Sequence, residues 1–236
     1  MQNIFIIIMS LTTLFGVCSA GEYLDLKNKK VKLSYSVGYQ VGGDFLRQGK
    51  NINPDVLLKG VQDALGGKEP LMTQKEMNIT LVNFQKTVAE AQRQKMIEQA
   101  KKNLEAGIAF LAENGKKEGV KTLTSGLQYK VIKEGAGKAP GEKDSVTVHY
   151  KGTLIDGTLF DSSFRRNKPA TFSVNGVIKG WTEALQLMKE GAKWQLFIPP
   201  DLAYGDKRTG IITPNSTLIF EVELISVKSS SAEETK

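Results

Sequence analysis

Residues able to exchange protons or bind metals near neutral pH are scarce in this chain. His149 is the only histidine and Cys18 the only cysteine. A lone imidazole cannot complete a Cys–His or multi-His metal site. A Ser–His–Asp arrangement lacks its nucleophile-elbow motif. His149 therefore reads as a strand histidine holding a structural hydrogen bond. The glycines of Gly-Ala-Gly-Lys-Ala-Pro-Gly, residues 135–141, lack phosphate-loop spacing and precede a strand, so they read as a simple turn. Hydrolytic, redox and nucleotide chemistry all fit poorly, and no metal or other cofactor is expected. What the C-terminal half does hold is aromatics on separate predicted elements: Tyr150, Phe160, Phe172, Trp181, Tyr204 and Phe220. Taken singly, each is more often core than site.

The elements that would position them change character along the chain. From Leu123 onward the apolar period is two, as in Leu127, Tyr129, Val131; Val146, Val148, Tyr150; and Leu218, Phe220, Val222, Leu224. These read as strands of an antiparallel sheet. One short helix, from about Trp181 to Lys189 and stopped by Gly191, interrupts them, which makes the domain α+β.

Before residue 120 the pattern is helical. Residues 30–46 place Val31, Ser34, Tyr35, Gly38, Val41, Gly42 and Phe45 on one face. Asn53 is a candidate N-cap, Pro54 opens a second helix, and Gly66-Gly67 ends it. Thr73 with Glu76 makes a capping box for a third helix running to about Lys117, roughly 60 Å at 1.5 Å per residue. These helices are too few to bury their own apolar faces, so a homodimer through residues 22 to about 90 is expected, and a mass showing only monomer would contradict it.

Residues 2–20 carry no charged side chain and end in Cys18-Ser19-Ala20-Gly21. This reads as a secretory signal cleaved after Ala20. Lys and Arg are missing ahead of the apolar run, so a retained anchor is the alternative. Loss of Cys18 would leave a mature chain without thiols, which suits an oxidising compartment. The net charge of +7 lies in scattered lysines, with no nucleic-acid-binding motif beside it, and reads as a solvated basic surface. The expected organisation is 1–20 signal, 21–70 helical dimerisation region, 71–120 connecting helix, 121–228 α+β domain and 229–236 disordered tail.

Several segments carry a resemblance. Val-His-Tyr-Lys-Gly-Thr-Leu-Ile-Asp-Gly-Thr-Leu-Phe-Asp-Ser-Ser at 148–163 closely resembles the FK506-binding-protein family. So do Val177-Ile178-Lys179-Gly180-Trp181, Ile198-Pro199-Pro200, Leu202-Ala203-Tyr204-Gly205 and the run Pro-Asn-Ser-Thr-Leu-Ile-Phe at 214–220. They occur in the family's order across about 105 residues. The N-terminal half is similar in architecture to the dimerisation region of bacterial macrophage-infectivity-potentiator-type isomerases.

The resemblance implies a half-barrel sheet around one short helix and peptidyl-prolyl cis-trans isomerase activity. It implies a pocket lined by Tyr150, Phe160, Asp161, Phe172, Val177, Ile178, Trp181, Tyr204 and Phe220. Trp181 would be the floor, and the Ile178 N–H and the Tyr204 hydroxyl would donate to ligand carbonyls. Asp161 would sit at the edge, paired with Arg166, and Ile211 and Ile212 would overhang. Proline-containing polypeptides and macrolides of the FK506 or rapamycin type are the implied ligands. The flap at 206–213 is basic and about one residue shorter than in close relatives. Phe164 stands where a polar residue is frequent, either adding apolar rim or packing on the loop. A periplasmic, secreted or outer-membrane-associated location follows from the signal. A dimeric chaperone and an inactive binding module are the competing readings.

The physical chemistry of the reaction agrees. Rotation about an Xaa-Pro bond breaks amide resonance at a barrier of roughly 18–20 kcal/mol. No bond breaks and no proton moves. The twisted amide has less charge separation than the planar one, so an aromatic pocket favours it over the ground state. Acid, base and metal are unnecessary for that.

Overall fold

A computed structural model describes residues 24–47 and 52–230. The expected signal segment and residues 231–236 lie outside the described residues. The chain divides into two units, residues 1–81 and 82–236.

In the first unit, α1 spans Lys29–Arg47 and α2 spans Pro54–Leu65. The Asn53 side chain accepts from the N–H groups of Asp55 and Val56, and Pro54 takes the first helical position, where its missing N–H costs nothing. Asp63, on α2, is held by Lys59 and by Lys68, the latter at 3.5 Å. No hydrophobic side chain between residues 24 and 81 is buried among the described residues. A Cβ added at Gly38, Gly42 or Gly60 would meet nothing within 4 Å.

The helix α3, Gln74–Asn114, starts in the first unit and ends in the second. Its capping box is formed: Glu76 Oε2 accepts from Thr73 N–H at 2.8 Å, and Glu76 N–H donates to Thr73 Oγ1 at 3.2 Å.

The second unit is a seven-stranded antiparallel sheet: β1 (Val120–Thr122), β2 (Gln128–Lys133), β3 (Ser145–Leu154), β4 (Leu159–Ser162), β5 (Ala170–Ser173), β6 (Lys193–Ile198) and β7 (Leu218–Lys228). The order is β1-β2-β6-β7-β3-β4, with β5 sharing β4's edge of β3. Register shifts in β2, β3 and β7 curve the sheet around the helix α4 (Lys179–Leu187). The concave face and α4 bury Val146, Val148, Leu185, Met188, Leu196, Leu218 and Val222 completely. Each such side chain contributes about 1.5–3 kcal/mol.

Between β4 and β5 the edge of β3 has no strand partner. Ser163 fills the gap: its N–H donates to the Tyr150 carbonyl at 3.0 Å, and its Oγ accepts from the Tyr150 N–H at 2.8 Å. His149 Nδ1 lies 3.0 Å from the same hydroxyl, the structural bond expected of it.

The boundary drawn at residue 120 is crossed by packing. The end of α3 lies on the outer face of the sheet, with Phe110 against Phe197 (ring centroids 5.9 Å) and buried Asn114 donating to Gln128 Oε1 at 3.0 Å. The tail too begins pinned rather than disordered. Ser229 Oγ accepts from Lys138 Nζ at 2.7 Å, and Ser230 N–H donates to Asp144 Oδ1 at 3.1 Å.

Candidate functional site

A cavity of about 860 Å³ opens between α4, the concave sheet and the loop after Tyr204. Its floor is Trp181, the third residue of α4 and 4% exposed. Three rings stand edge-on to the indole: Tyr150 from β3 (centroids 5.3 Å, 88°), Phe220 from β7 (5.2 Å, 80°) and Phe172 from β5 (5.9 Å, 85°). Phe160 from β4 meets Phe220 in the same manner at 5.4 Å and 82°. Such edge-to-face arrangements suit the ring quadrupoles. Strand alternation carries Tyr150 and Phe220 to the concave face.

One polar constellation interrupts this apolar wall. The Tyr150 hydroxyl donates to Asp161 Oδ2 at 2.5 Å, Arg166 donates to Asp161 Oδ1 at 2.7 Å, and Arg166 also donates to the Tyr150 oxygen at 2.8 Å. The Ser162 N–H adds a bond to Asp161 Oδ1 at 2.7 Å. Partial burial pushes the Asp161 carboxyl up, but the donors Tyr150, Arg166 and Ser162 outweigh it and hold it below the usual 3.8. Burial, then the bond to Asp161, pushes the Tyr150 phenol above 10.0. At neutral pH the carboxylate is thus ionised and the phenol keeps its proton.

Two donors at the cavity have no acceptor among the described residues. One is the Ile178 N–H, at the residue that precedes α4. The other is the half-buried Tyr204 hydroxyl.

The structure brings the sequence-derived residues together in this cavity, with one exception. Tyr150, Phe160, Asp161, Phe172, Val177, Ile178, Trp181, Tyr204, Phe220, Ile211 and Ile212 all line it. Arg166 does not; it is spent on Asp161 and Tyr150, and its neighbour Arg165 lines the cavity instead. Arg165 forms no ion pair within the described residues. Phe164 does not reach the cavity; it stacks on His149 at 4.7 Å and 13°. Leu159, Gly176, Thr209 and Gly210 complete the lining and were not singled out, being small or of no chemical distinction in the sequence. Ile212 is 5% exposed and Ile211 54%, so the first is wall and the second rim. Among the described residues no group of three or more His, Cys, Asp or Glu is placed to hold a metal ion.

The domain description "FKBP-type peptidyl-prolyl cis-trans isomerase" matches residues 136–225, and "Domain amino terminal to FKBP-type peptidyl-prolyl isomerase" matches residues 30–131. The "Outer membrane protein MIP" of Legionella longbeachae is 50% identical over 211 residues, covering 89% of this chain and 91% of that protein. The chain belongs to the FKBP-type peptidyl-prolyl cis-trans isomerase family. The "Peptidyl-prolyl cis-trans isomerase Mip" of Coxiella burnetii is 46% identical over 97% of this chain and 99% of its own. The crystal structure of FkpA from Escherichia coli superposes with a TM-score of 0.71 at 41% identity, covering 86% of this chain and 99% of that one. This FKBP-type protein is accordingly a peptidyl-prolyl isomerase, with an α+β catalytic domain preceded by helices.

Proposed function

We propose that this isomerase turns Xaa-Pro bonds of exported polypeptides inside the aromatic cavity, by removing the amide from water rather than by moving a proton. The observation that carries this reading is the pairing of an apolar box with two unspent donors. The proline ring rests on Trp181, between Tyr150, Phe172 and Phe220. The Ile178 N–H and the Tyr204 hydroxyl take substrate carbonyls, which fixes the chain on both sides of the bond while the amide rotates. The Tyr150–Asp161–Arg166 constellation holds the wall and leaves Asp161 unavailable as a base, because its oxygens are already engaged. Val177 and Ile211 at the rim and Ile212 in the wall exclude water, and the unpaired Arg165 faces the incoming chain. Macrolides of the FK506 or rapamycin type compete for the same space. Tyr204→Phe is expected to lower kcat/KM on a short Xaa-Pro peptide roughly fivefold, the worth of one hydrogen bond, without unfolding the domain. An unchanged rate, measured by exchange NMR, would remove Tyr204 from the site.

We further propose that the protein is exported and works as a homodimer joined through α1, α2 and the start of α3, holding two catalytic domains to one folding client. Support comes from the first unit, where none of the described apolar side chains is buried and many, among them Leu33, Tyr39, Val56, Leu65 and Leu81, are exposed. A second copy would bury them. Sedimentation equilibrium of the mature protein should give twice the chain mass; the mass of one chain at all concentrations would refute the dimer. A chaperone contribution from the same helices is compatible with this arrangement.

A further inference from the structure

We infer that Asn103, on the long helix α3, is a positioning residue of the isomerase site: it holds the base of the flap that carries Ile211 and Ile212. This assignment rests on the isomerase reading of the cavity. Asn103 stands 110 residues before the flap in the chain, and its side-chain amide reaches three atoms there. Nδ2 donates to Thr213 Oγ1 and to the Pro214 carbonyl, both at 2.7 Å, and lies 3.3 Å from Ser216 Oγ. An amide nitrogen has two hydrogens, so the two short contacts are the principal bonds and the third is shared.

The orientation of that amide is set from its own helix. Gln99, one turn earlier, donates from Nε2 to Asn103 Oδ1 at 2.8 Å, which turns the donor side of Asn103 toward the flap. One turn later, Gly107 brings the helix close enough for the amide to reach. A Cβ there would lie 2.3 Å from Thr217 Oγ1. Any larger residue would force Thr217 or α3 itself to shift.

The flap is tied within itself at two levels. Thr209 and Ile212 exchange backbone bonds of 2.9 Å around Gly210, and the Asn215 N–H donates to the Gly205 carbonyl at 2.7 Å. Neither tie fixes the loop against the rest of the domain. Among the described residues, the side-chain hydrogen bonds that reach residues 213–216 from another element are those of Asn103. The residue after the buried Ile212 is Thr213, one of its acceptors. Releasing Asn103 frees the loop segment that follows Ile212. Substrate must then order the flap as it binds, so the loss falls on KM more than on the bond rotation itself.

The test uses the full chain and a short Xaa-Pro peptide followed by exchange NMR. Asn103→Asp keeps the shape but replaces both donors by acceptors facing the Pro214 carbonyl. KM should rise about three- to tenfold while kcat changes by less than about twofold. The Ile212 methyl signals should broaden, and the indole signal of Trp194, on β6, should stay in place. Gln99→Ala touches no flap atom and should move KM in the same direction by about two- to threefold. An unchanged KM with unchanged Ile212 signals would overturn the assignment. So would equal losses in kcat with shifts at Trp194, which mark a general structural defect. If Asn103→Asp does not fold, an unchanged KM in Gln99→Ala overturns it alone. Absence of acceleration by the wild-type chain would instead count against the isomerase reading.

Discussion

Replacing Gly152 by alanine is expected to destabilise the catalytic domain by about 1–3 kcal/mol and to lower kcat/KM roughly ten- to a hundredfold. Gly152 lies on β3, opposite Asp161 of β4 and Phe220 of β7. A Cβ at this position would stand 2.6 Å from two ring carbons of Phe160 and 2.7 Å from one of Phe220. Both rings are wall residues that already meet edge to face. Neither can yield like the end of a flexible chain, so the wall must move into the cavity or the sheet must open. Thermal unfolding and peptide exchange on the same sample check the two halves. An activity loss without any fall in stability would mean that the rings relax inward at no cost.

Asp161→Ala should cost roughly tenfold in kcat/KM, with a smaller effect on stability. The substitution deprives the Tyr150 hydroxyl and the Arg166 guanidinium of their common acceptor. The Asp161 side chain is 43% exposed, so solvent screening reduces what the ion pair with Arg166 gives to folding. The activity loss comes from Tyr150, whose ring is wall and whose hydroxyl no longer has its acceptor, Arg166 being a donor to it. The pH dependence has a definite sign. The Asp161 carboxyl is held below 3.8, so its contribution is full above that value and is lost as pH falls through the lower one. The Tyr150 phenol is raised above 10.0, so its contribution is full below that value and is lost as pH rises through the higher one. This pair should therefore add no limb to the activity profile between about pH 5 and 9. A limb in that range that vanishes in Asp161→Ala would contradict the assignment.

Local chemistry made much of this fold legible before any coordinates. Asn53 with Pro54, and Thr73 with Glu76, are caps whose partners lie within three residues, and both form as expected. The period-two runs mark β2, β3 and β7 because one face of each is buried. Features made by long-range packing were not legible. The three-residue β1 is too short to show a period. The break between β4 and β5, bridged by the Ser163 hydroxyl, has no sequence pattern of its own. The end of α3 reads as a connecting rod, yet Gly107, Phe110 and Asn114 pack it on the sheet. Most of the candidate cavity came through family resemblance, since six aromatics on separate elements look like core until the elements are assembled. The resemblance paired Arg166 with Asp161, as the structure has it, but passed over the adjacent Arg165, which lines the cavity.

The central claim is that the cavity works by its environment and not by proton transfer. The most direct test is the exchange rate of a short Xaa-Pro peptide with the wild-type protein in H₂O and in D₂O. The account expects strong acceleration with the same kcat/KM in both solvents, because no proton is in flight in the transition state. A clear drop in D₂O would mean that a side chain donates or removes a proton, and would contradict it.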